Sequence, residues 1–350
     1  MPASKTKIAI VGASGYSGSE LVRILLGHPG AVIACATSRQ YAGQPLSAAF
    51  PRFRGVGAAN AITFSEPEPD AIAATGAEVA FLALPHGAAA DYAGALLERG
   101  LRVIDLSADF RLRSADVYRE FYGAEHPAPG LLAEAVYGLP EVHGEKIRGA
   151  RLVASPGCYP TSILLPLLPL LRAGALDLKT IVAASMSGVS GAGRKADLAL
   201  LFAECNESVR PYGGVKHRHL SEIEQELGIG AGEPVAISFL PHLVPVTAGI
   251  CTTITAQLAP GTQPDSLGDL LENAYAGCAF VRLLGKGGAP DTKNVVGTNF
   301  IDIGWNHDPR TGRAILQSAE DNLGKGAASQ AVQSFNLMVG QPEPAGLLPE

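Results

Sequence analysis

Two patterns of hydrophobic positions divide the chain. Before about residue 155, short continuous apolar runs at 8–11, 31–37, 78–84 and 101–106 alternate with stretches of helical spacing, such as 20–26 and 88–99. Apolar strands that alternate with helices are typical of parallel βαβ units whose sheet is covered on both faces. The first part is therefore predicted to be an α/β domain built on a parallel sheet.

The rest of the chain has a different pattern, in which several strands follow one another with only turns between them. This order favours a mixed or antiparallel sheet in an α+β domain. The predicted domains are 1–155, 156–325 and a C-terminal segment, 326–350, whose helix packs back on the first domain. The predicted strands lie at 181–187, 235–239, 249–256, 281–284 and 299–305, and the predicted helices at 160–173, 219–227, 264–275 and 326–339.

Composition and charge narrow the class of protein. Hydrophobic residues make up 47% and charged residues 17% of the chain, which excludes disorder for most of its length. The net charge of −6 argues against a nucleic-acid or anionic-membrane partner. The longest apolar run, 163–171, contains two prolines and is too short to span a membrane. No signal peptide is recognisable, and five cysteines without a CxxC pair predict a reduced cytoplasmic protein without disulfides or a metal site.

A glycine-rich turn follows the first predicted strand and opens the first predicted helix. Gly12, Gly15 and Gly18 have the spacing GxxGxxG, one residue wider than GxGxxG. In this context the glycines let the backbone approach a pyrophosphate, and the helix N-terminus favours its charge. The alternative is a tight strand–helix turn that binds no ligand.

The end of the second predicted strand distinguishes the two nicotinamide cofactors. NAD sites place an acidic residue there to bind the ribose 2′-hydroxyl, whereas this chain has Ser38 and Arg39. A hydroxyl and a guanidinium suit a 2′-phosphate, so NADP is predicted as the cofactor. Arg39 as a solvated loop cation is the alternative.

Cys158 is the candidate nucleophile. It follows Pro156 and Gly157, and Pro160 suits the first turn of a helix that begins beside it. A helix N-terminus stabilises a thiolate, and the small turn leaves the sulfur accessible. A reactive thiol together with a nicotinamide indicates oxidation or reduction at the acyl level through a thioester.

A cluster of histidines supplies candidate proton carriers. His219 and Glu222 are three residues apart and so share one face of a predicted helix, and His217 stands just before it. A His–His metal pair lacks a third ligand nearby, and a solvated basic turn is the other alternative. Arg218 is a candidate anion ligand. His242 is a further candidate base, although its apolar surroundings favour a packed histidine.

Nine segments that span residues 12–333 in order are GASGYSG, LALPHG, DLSADFR, YGLPE, SPGCYPTS, SGVSGAGR, HRHLSEIEQ, PHLVPVTAGI and DNLGKGAASQAVQ. Together they resemble the N-acetyl-γ-glutamyl-phosphate reductases of arginine biosynthesis, a family related in fold to aspartate-semialdehyde dehydrogenase. SPGCYPTS at 155–162 is the most specific of the nine.

The resemblance implies a Rossmann domain, a catalytic α/β domain and a homotetramer. It implies that Cys158 is the nucleophile, whereas His219, His217 and Glu222 are candidate catalytic residues from their spacing alone. Ser107 and Arg111 resemble residues near the substrate phosphate, and Arg218 joins them as a substrate-binding candidate. Taken together, the local patterns and the resemblance give these candidate NADP-binding residues: Gly12, Ser14, Gly15, Tyr16, Ser17, Gly18, Ser38, Arg39, Pro85, Ser187, Gly188 and Asn322.

The resemblance predicts NADPH-dependent reduction of N-acetyl-γ-glutamyl phosphate to N-acetylglutamate 5-semialdehyde. Two alternatives keep this chemistry and change the substrate to carrier-linked aminoadipyl phosphate or aspartyl phosphate. A non-catalytic NADP-binding regulator and a purely structural oligomer are alternatives of another class. The regulator would need no reactive thiol, and the structural oligomer would bind no nucleotide.

Overall fold

The computed structural model describes residues 5–348, which form two compact units. The first unit comprises residues up to 119, 124–156 and the segment from 327 onward. The second comprises 120–123 and 157–326. The chain therefore leaves the first unit at 156 and returns to it for the last helix.

The first unit is built on a six-stranded parallel sheet of order β2-β1-β3-β4-β6-β5. Its central strands β1, β3 and β4 are buried along their apolar runs, and only the first one or two residues of β1 and β4 are accessible. The strands are β1 (Thr6–Val11), β2 (Ala31–Ala36), β3 (Val79–Leu82), β4 (Arg102–Asp105), β5 (Val136–Tyr137) and β6 (Leu152–Ala154). The helices are α1 (Tyr16–Leu26), α2 (Leu46–Ala49), α3 (Gly57–Asn60), α4 (Pro69–Ala74), α5 (Ala89–Glu98), α6 (Ala115–Tyr122) and α7 (Pro140–Gly149).

The second unit is built on a seven-stranded mixed sheet of order β11-β12-β13-β10-β7-β9-β8. Two strand pairs, β11 with β12 and β7 with β9, are parallel, and the other four pairs are antiparallel. The strands are β7 (Val182–Ser187), β8 (Arg210–Pro211), β9 (Ser238–Leu243), β10 (Ile250–Gln257), β11 (Val281–Lys286), β12 (Ile301–Asp308) and β13 (Arg313–Glu320). The helices are α8 (Cys158–Arg172), α9 (Phe202–Cys205), α10 (Arg218–Ala231) and α11 (Ser266–Tyr275).

The last helix, α12 (Ser329–Met338), follows a π-helical turn at Gly324–Ala328 and is buried along its whole length. It packs against α1, α7 and β4 of the first unit. Asn336 accepts a hydrogen bond from His28 Nε2 (2.9 Å) and donates to the carbonyls of Glu343 and Ala345 (both 2.9 Å). Since Gly30 N–H donates to His28 Nδ1, His28 is neutral, and its burial lowers its pKa. These hydrogen bonds link α12 and the residues after it to His28 of the first unit.

The fold class predicted from the sequence is confirmed, but several element predictions are wrong. The strand predicted at 235–239 lies at Ser238–Leu243, because Pro241 within β9 interrupts the apolar pattern. β13 has no predicted counterpart, and it forms a hairpin with β12 around a turn that ends at Gly312 (φ 69°). The short strands β5, β6 and β8 and the helices α2, α3, α4, α6, α7 and α9 were also not predicted.

Candidate active site

The glycine-rich turn of the first unit forms an open backbone cradle. Gly12 has a positive φ of 84°, and a β-carbon there would lie 2.6 Å from the Ala83 carbonyl oxygen. A β-carbon at Gly18 would lie 2.5 Å from the Gly12 carbonyl oxygen, so α1 packs closely on the turn. A β-carbon at Gly15, which precedes α1, would lie 3.8 Å from the Gly12 carbonyl oxygen, an ordinary contact distance. The cradle therefore fits a dinucleotide pyrophosphate, because its backbone is accessible at the helix N-terminus.

The end of β2 is joined to this cradle. The Ser38 and Ser14 hydroxyls are 2.9 Å apart, with Ser38 as the donor, and Gly12 N–H donates to Thr37 Oγ1 (3.3 Å). Arg39 is exposed and donates to the Tyr92 hydroxyl (3.1 Å). The positions predicted for 2′-phosphate binding thus lie beside the glycine-rich turn. Of the other predicted cofactor residues in this unit, Ser17 is half-buried, and Tyr16 and Pro85 are exposed.

The loop after β4 is organised by a buried carboxyl. Asp105 is fully buried and accepts from Ser107 N–H (2.8 Å) and the Ser107 hydroxyl (2.7 Å). Desolvation by burial raises the pKa of Asp105 to about 7, against the opposing effect of the Ser107 hydrogen bonds. Arg111 Nε donates to the Ser155 carbonyl (2.8 Å). In this conformation Ser107 gives its single hydroxyl proton to Asp105, and Arg111 holds two stretches of the first unit together.

In the second unit, Cys158 is the first residue of α8 and is half-buried. Gly157, with extended backbone, precedes the helix, and its N–H donates to Glu222 Oε2 (3.1 Å). The Thr161 hydroxyl returns to the Gly157 carbonyl (3.4 Å). These contacts fix the turn that presents the thiol at the helix N-terminus.

His219 and Glu222, both on α10, meet at this turn as the i, i+3 spacing predicts. A β-carbon at Gly157 would lie 2.7 Å from both His219 Nε2 and Glu222 Oε1. Glu222 is 1% exposed. Only glycine fits between Cys158 and this pair, so the imidazole and the buried carboxyl lie against the residue next to the thiol.

Two residues that the sequence analysis missed, Gly326 and Glu320, also lie close to Cys158. A β-carbon at Gly326 would be 2.8 Å from the Cys158 β-carbon and 3.1 Å from Glu320 Oε1. Glu320 is the last residue of β13 and is fully buried. The glycine belongs to the segment DNLGKGAASQAVQ, in which the sequence analysis singled out only Asn322.

His217 has a different position from His219. Its Nδ1 accepts from His219 N–H (3.1 Å), so His217 is the N-cap of α10. Its ring packs edge-on against Tyr159, Tyr212 and Phe239 at centroid distances of 5.4 to 5.7 Å. Desolvation by burial, with a smaller effect from Arg218, lowers the pKa of His217 to about 4. His217 is therefore neutral near pH 7.

Two phenols complete the surroundings of the thiol. The Tyr159 and Tyr212 hydroxyls are 2.7 Å apart. Burial raises the pKa of both groups, that of Tyr212 to about 12, and the charge of a Cys158 thiolate raises both further. Both phenols thus stay protonated, and one of the two hydroxyls donates to the other. Sequence reasoning passed over them because aromatic residues at such spacings are common in cores.

The second glycine-rich loop, Ser187–Arg194, is anchored by Asn322. The Asn322 side chain accepts from Gly249 N–H (2.7 Å) and donates to the Ser190 hydroxyl (2.9 Å). A β-carbon at Gly188 would lie 2.8 Å from the backbone of Ala248, so the loop packs tightly there. Asn322, Ser187 and Gly188 are buried, and they shape this loop as well as being candidate cofactor ligands.

The remaining candidates are distributed as follows. Arg218 is exposed, and its guanidinium lies 5.9 Å from the Tyr122 ring centroid. His242 is half-buried on β9, with Nδ1 3.1 Å from the Leu240 carbonyl oxygen. Across residues 5–348, no cluster of three potential metal ligands is found and no helix is long and apolar enough to cross a membrane. All five cysteines are free thiols.

Comparisons with known proteins bear on both units. Residues 7–150 match the model of the semialdehyde dehydrogenase NAD-binding domain, and residues 158–322 match that of the semialdehyde dehydrogenase dimerisation domain. The chain is 64% identical over 343 residues to the N-acetyl-gamma-glutamyl-phosphate reductase of Akkermansia muciniphila, with 98% of this chain and 99% of the relative covered. It is 49% identical over 341 residues to the protein of that name from Moorella thermoacetica, with 97% of each covered.

Solved structures confirm the fold alone. Aspartate semialdehyde dehydrogenase II of Vibrio cholerae, complexed with ASA, superposes with a TM-score of 0.73 at 18% identity, covering 97% of this chain and 99% of that one. The aspartate semialdehyde dehydrogenase of Candida albicans, solved with NADP, superposes with a TM-score of 0.70 at 16% identity, covering 96% and 99%.

Proposed function

Since the chain belongs to the N-acetyl-γ-glutamyl-phosphate reductase family, we propose that it reduces N-acetyl-γ-glutamyl phosphate to N-acetylglutamate 5-semialdehyde and phosphate. The observation that carries this proposal is the position of Cys158 at the N-terminus of α8, with His219 and Glu222 against the preceding glycine. A half-buried thiol beside a base and a buried carboxyl suits covalent acyl transfer.

The reaction begins at the Cys158 thiolate. Its sulfur forms a bond to the γ-acyl carbon, and the bond from that carbon to the phosphate oxygen breaks, so phosphate leaves and a thioester remains on Cys158. N–H groups of the first turn of α8 stabilise the oxyanion that develops during this attack. NADPH, when bound, supplies the hydride that reduces the thioester carbon. The carbon–sulfur bond of the Cys158 thiohemiacetal then breaks to give the aldehyde and the thiolate.

His219 is the proton carrier in this proposal. It protonates the oxygen of the thiohemiacetal and takes that proton back when the carbon–sulfur bond breaks. Glu222 holds the turn at Gly157 and lies beside the imidazole. His217, which is neutral and caps α10, orients this segment.

The cofactor belongs to the nicotinamide dinucleotides, and we infer that it is NADP. The exposed Arg39 and the Ser38 hydroxyl, with no acidic residue at the end of β2, support this choice. The glycine-rich turn from Gly12 to Gly18 would hold the pyrophosphate. The proposed enzyme acts in the cytoplasm as a homotetramer, and the match to a dimerisation domain supports self-association.

The proposal is tested in the reverse direction, because acyl phosphates hydrolyse readily. We expect reduction of NADP⁺ by N-acetylglutamate 5-semialdehyde that strictly requires inorganic phosphate. Reduction without phosphate would indicate an aldehyde dehydrogenase in which water resolves the thioester. Reduction with aspartate semialdehyde, or with the carrier-linked aminoadipate semialdehyde instead, would move the substrate to those alternatives.

A single variant tests the covalent step. Cys158→Ser is expected to lose turnover while it retains NADPH binding, measured by cofactor fluorescence. A Cys251→Ser variant is the matched control, since Cys251 is another half-buried free thiol of the second unit. Wild-type turnover in Cys158→Ser would exclude the thioester.

A further inference from the structure

The helix that carries the thiol contains two internal prolines. Pro166 and Pro169 lie within α8, and each lacks the N–H that would bond the carbonyl four residues earlier. The two carbonyls that lose a helical donor are those of Ser162 and Leu165. Both residues are fully buried, so water cannot replace the missing donors.

Two hydroxyl groups from other elements replace the missing donors. The Ser318 hydroxyl, on β13, donates to the Ser162 carbonyl (2.7 Å). The Tyr275 hydroxyl, on α11, donates to the Leu165 carbonyl. Both bonds replace a missing helical donor, but they lie at different distances from Cys158. Ser162 is one helical turn from Cys158, and Leu165 is about two turns from it.

The Ser162 side chain also ends a series of three hydroxyl groups in which each hydroxyl donates a hydrogen bond to the next. Ser162 donates to the Tyr159 carbonyl (2.9 Å), so Thr252 must donate to Ser162 (2.8 Å) and Ser185 to Thr252 (2.8 Å). Ser162, Thr252 and Ser185 are fully buried. The chain joins strands β7 and β10 to the residue directly after Cys158.

We propose that Ser318 is a positioning residue for Cys158. This inference rests on the proposed role of Cys158 as the nucleophile. By satisfying the Ser162 carbonyl, Ser318 keeps the first two turns of α8 regular where Pro166 would bend them. The N–H groups of the first turn then stay directed at the thiolate and at the developing oxyanion.

The experiment compares Ser318→Ala with Tyr275→Phe, which removes the equivalent hydroxyl one turn farther from the thiol. The first measurement is the rate constant for alkylation of Cys158 by iodoacetamide against pH, with peptide mass spectrometry to separate Cys158 from the other four cysteines. The second is kcat and KM. NADPH fluorescence and thermal unfolding report whether each variant is folded.

For Ser318→Ala we expect kcat to fall about tenfold, because small displacements of reacting groups are costly. The pH midpoint of alkylation should move upward, because the thiolate loses aligned donors. Ser318→Thr, which keeps the hydroxyl, should restore both values. Tyr275→Phe should change kcat less than about twofold, although it also destabilises α8.

Wild-type kcat and alkylation profile in Ser318→Ala would overturn the proposal. Equal losses in Tyr275→Phe would also overturn it, because the bonds would then support the helix as a whole. If Ser318→Ala does not fold, Thr252→Val breaks the same network one link away and should shift the alkylation midpoint in the same direction. Alkylation needs no substrate, so a failure of the proposed function, seen as full turnover in Cys158→Ser, remains distinguishable.

Discussion

Gly326 lies against Cys158 so closely that a β-carbon at position 326 would fall 2.8 Å from the Cys158 β-carbon. Non-bonded carbon atoms do not approach to this distance, so a side chain at 326 displaces either the π-helical turn at Gly324–Ala328 or the start of α8. The shape of this turn is therefore part of the candidate active site.

Gly326→Ala is expected to lower kcat by at least about tenfold, because the methyl group moves Cys158 out of alignment. Overpacking should also reduce the free energy of unfolding by about 1–3 kcal/mol. Steady-state kinetics and urea denaturation measure the two effects. Gly149→Ala is the control, since a β-carbon at Gly149 meets no atom within 4 Å. Unchanged kcat in Gly326→Ala would show that the turn yields without moving the thiol.

Substitution of His219 should lower kcat much more than substitution of the neighbouring His217. His219→Asn is expected to lower kcat about 10²- to 10⁴-fold, because it removes the proton carrier. His217→Asn should cost less than about tenfold, since Asn is also a good N-cap. The pKa of His217, lowered to about 4 by burial, lies below the usual assay range, so His217→Asn should leave the pH profile of kcat unchanged. A pH profile that changes only in His217→Asn would reverse the assignment.

The pKa of Asp105 makes stability depend on pH. In the unfolded chain this carboxyl ionises near its ordinary pKa of 3.8, whereas burial keeps it protonated in the folded protein up to about pH 7. Its stabilising contribution is complete below the unfolded pKa and is lost as pH rises through the folded pKa. The loss across this window is on the order of 2–4 kcal/mol.

Asp105→Asn should therefore flatten the dependence of the free energy of unfolding on pH in this window, because an amide is neutral throughout. Urea denaturation at several pH values measures the slope. Asp91→Asn, a change of the same kind at an exposed position, should leave the slope as in the wild type. A slope that persists in Asp105→Asn would assign the pH dependence to another group.

Arg39 should determine the cofactor preference. Replacing it with Ala removes the guanidinium proposed to bind the 2′-phosphate, so KM for NADPH should rise about 10- to 100-fold, as for loss of a charge-assisted hydrogen bond. KM for NADH should change little. Arg54→Ala, another exposed arginine of the same unit, is the control. An equal rise of KM for both cofactors would place Arg39 elsewhere in the binding site.

Short sequence patterns predicted several local features of the candidate site. The glycines at 12 and 18 indicated a close backbone approach, and Pro160 indicated a helix that begins at or just after Cys158. The spacing of His219 and Glu222 predicted one shared face, and both side chains do meet at Gly157. Each of these signals lies within a few residues of sequence.

Contacts between distant segments were not predictable in this way. The approach of Gly326 and Glu320 to Cys158 depends on how β13 and α8 pack, which no short pattern encodes. The strand β13 was not predicted because Ser318 and Glu320 are polar residues at buried positions and break its apolar alternation. Their polar groups lie in the interior near the start of α8.

The return of α12 to the first unit has a consequence for synthesis. The second unit, apart from 120–123, is one continuous stretch that ends at residue 326, whereas the first unit requires the segment from 327 onward. During synthesis, all residues of the second unit, which contains Cys158, therefore leave the ribosome before the last helix of the first unit does. The first unit can be completed only after that helix has been made. A chain that terminates early, just after residue 326, contains Cys158 but lacks the helix that completes the first unit.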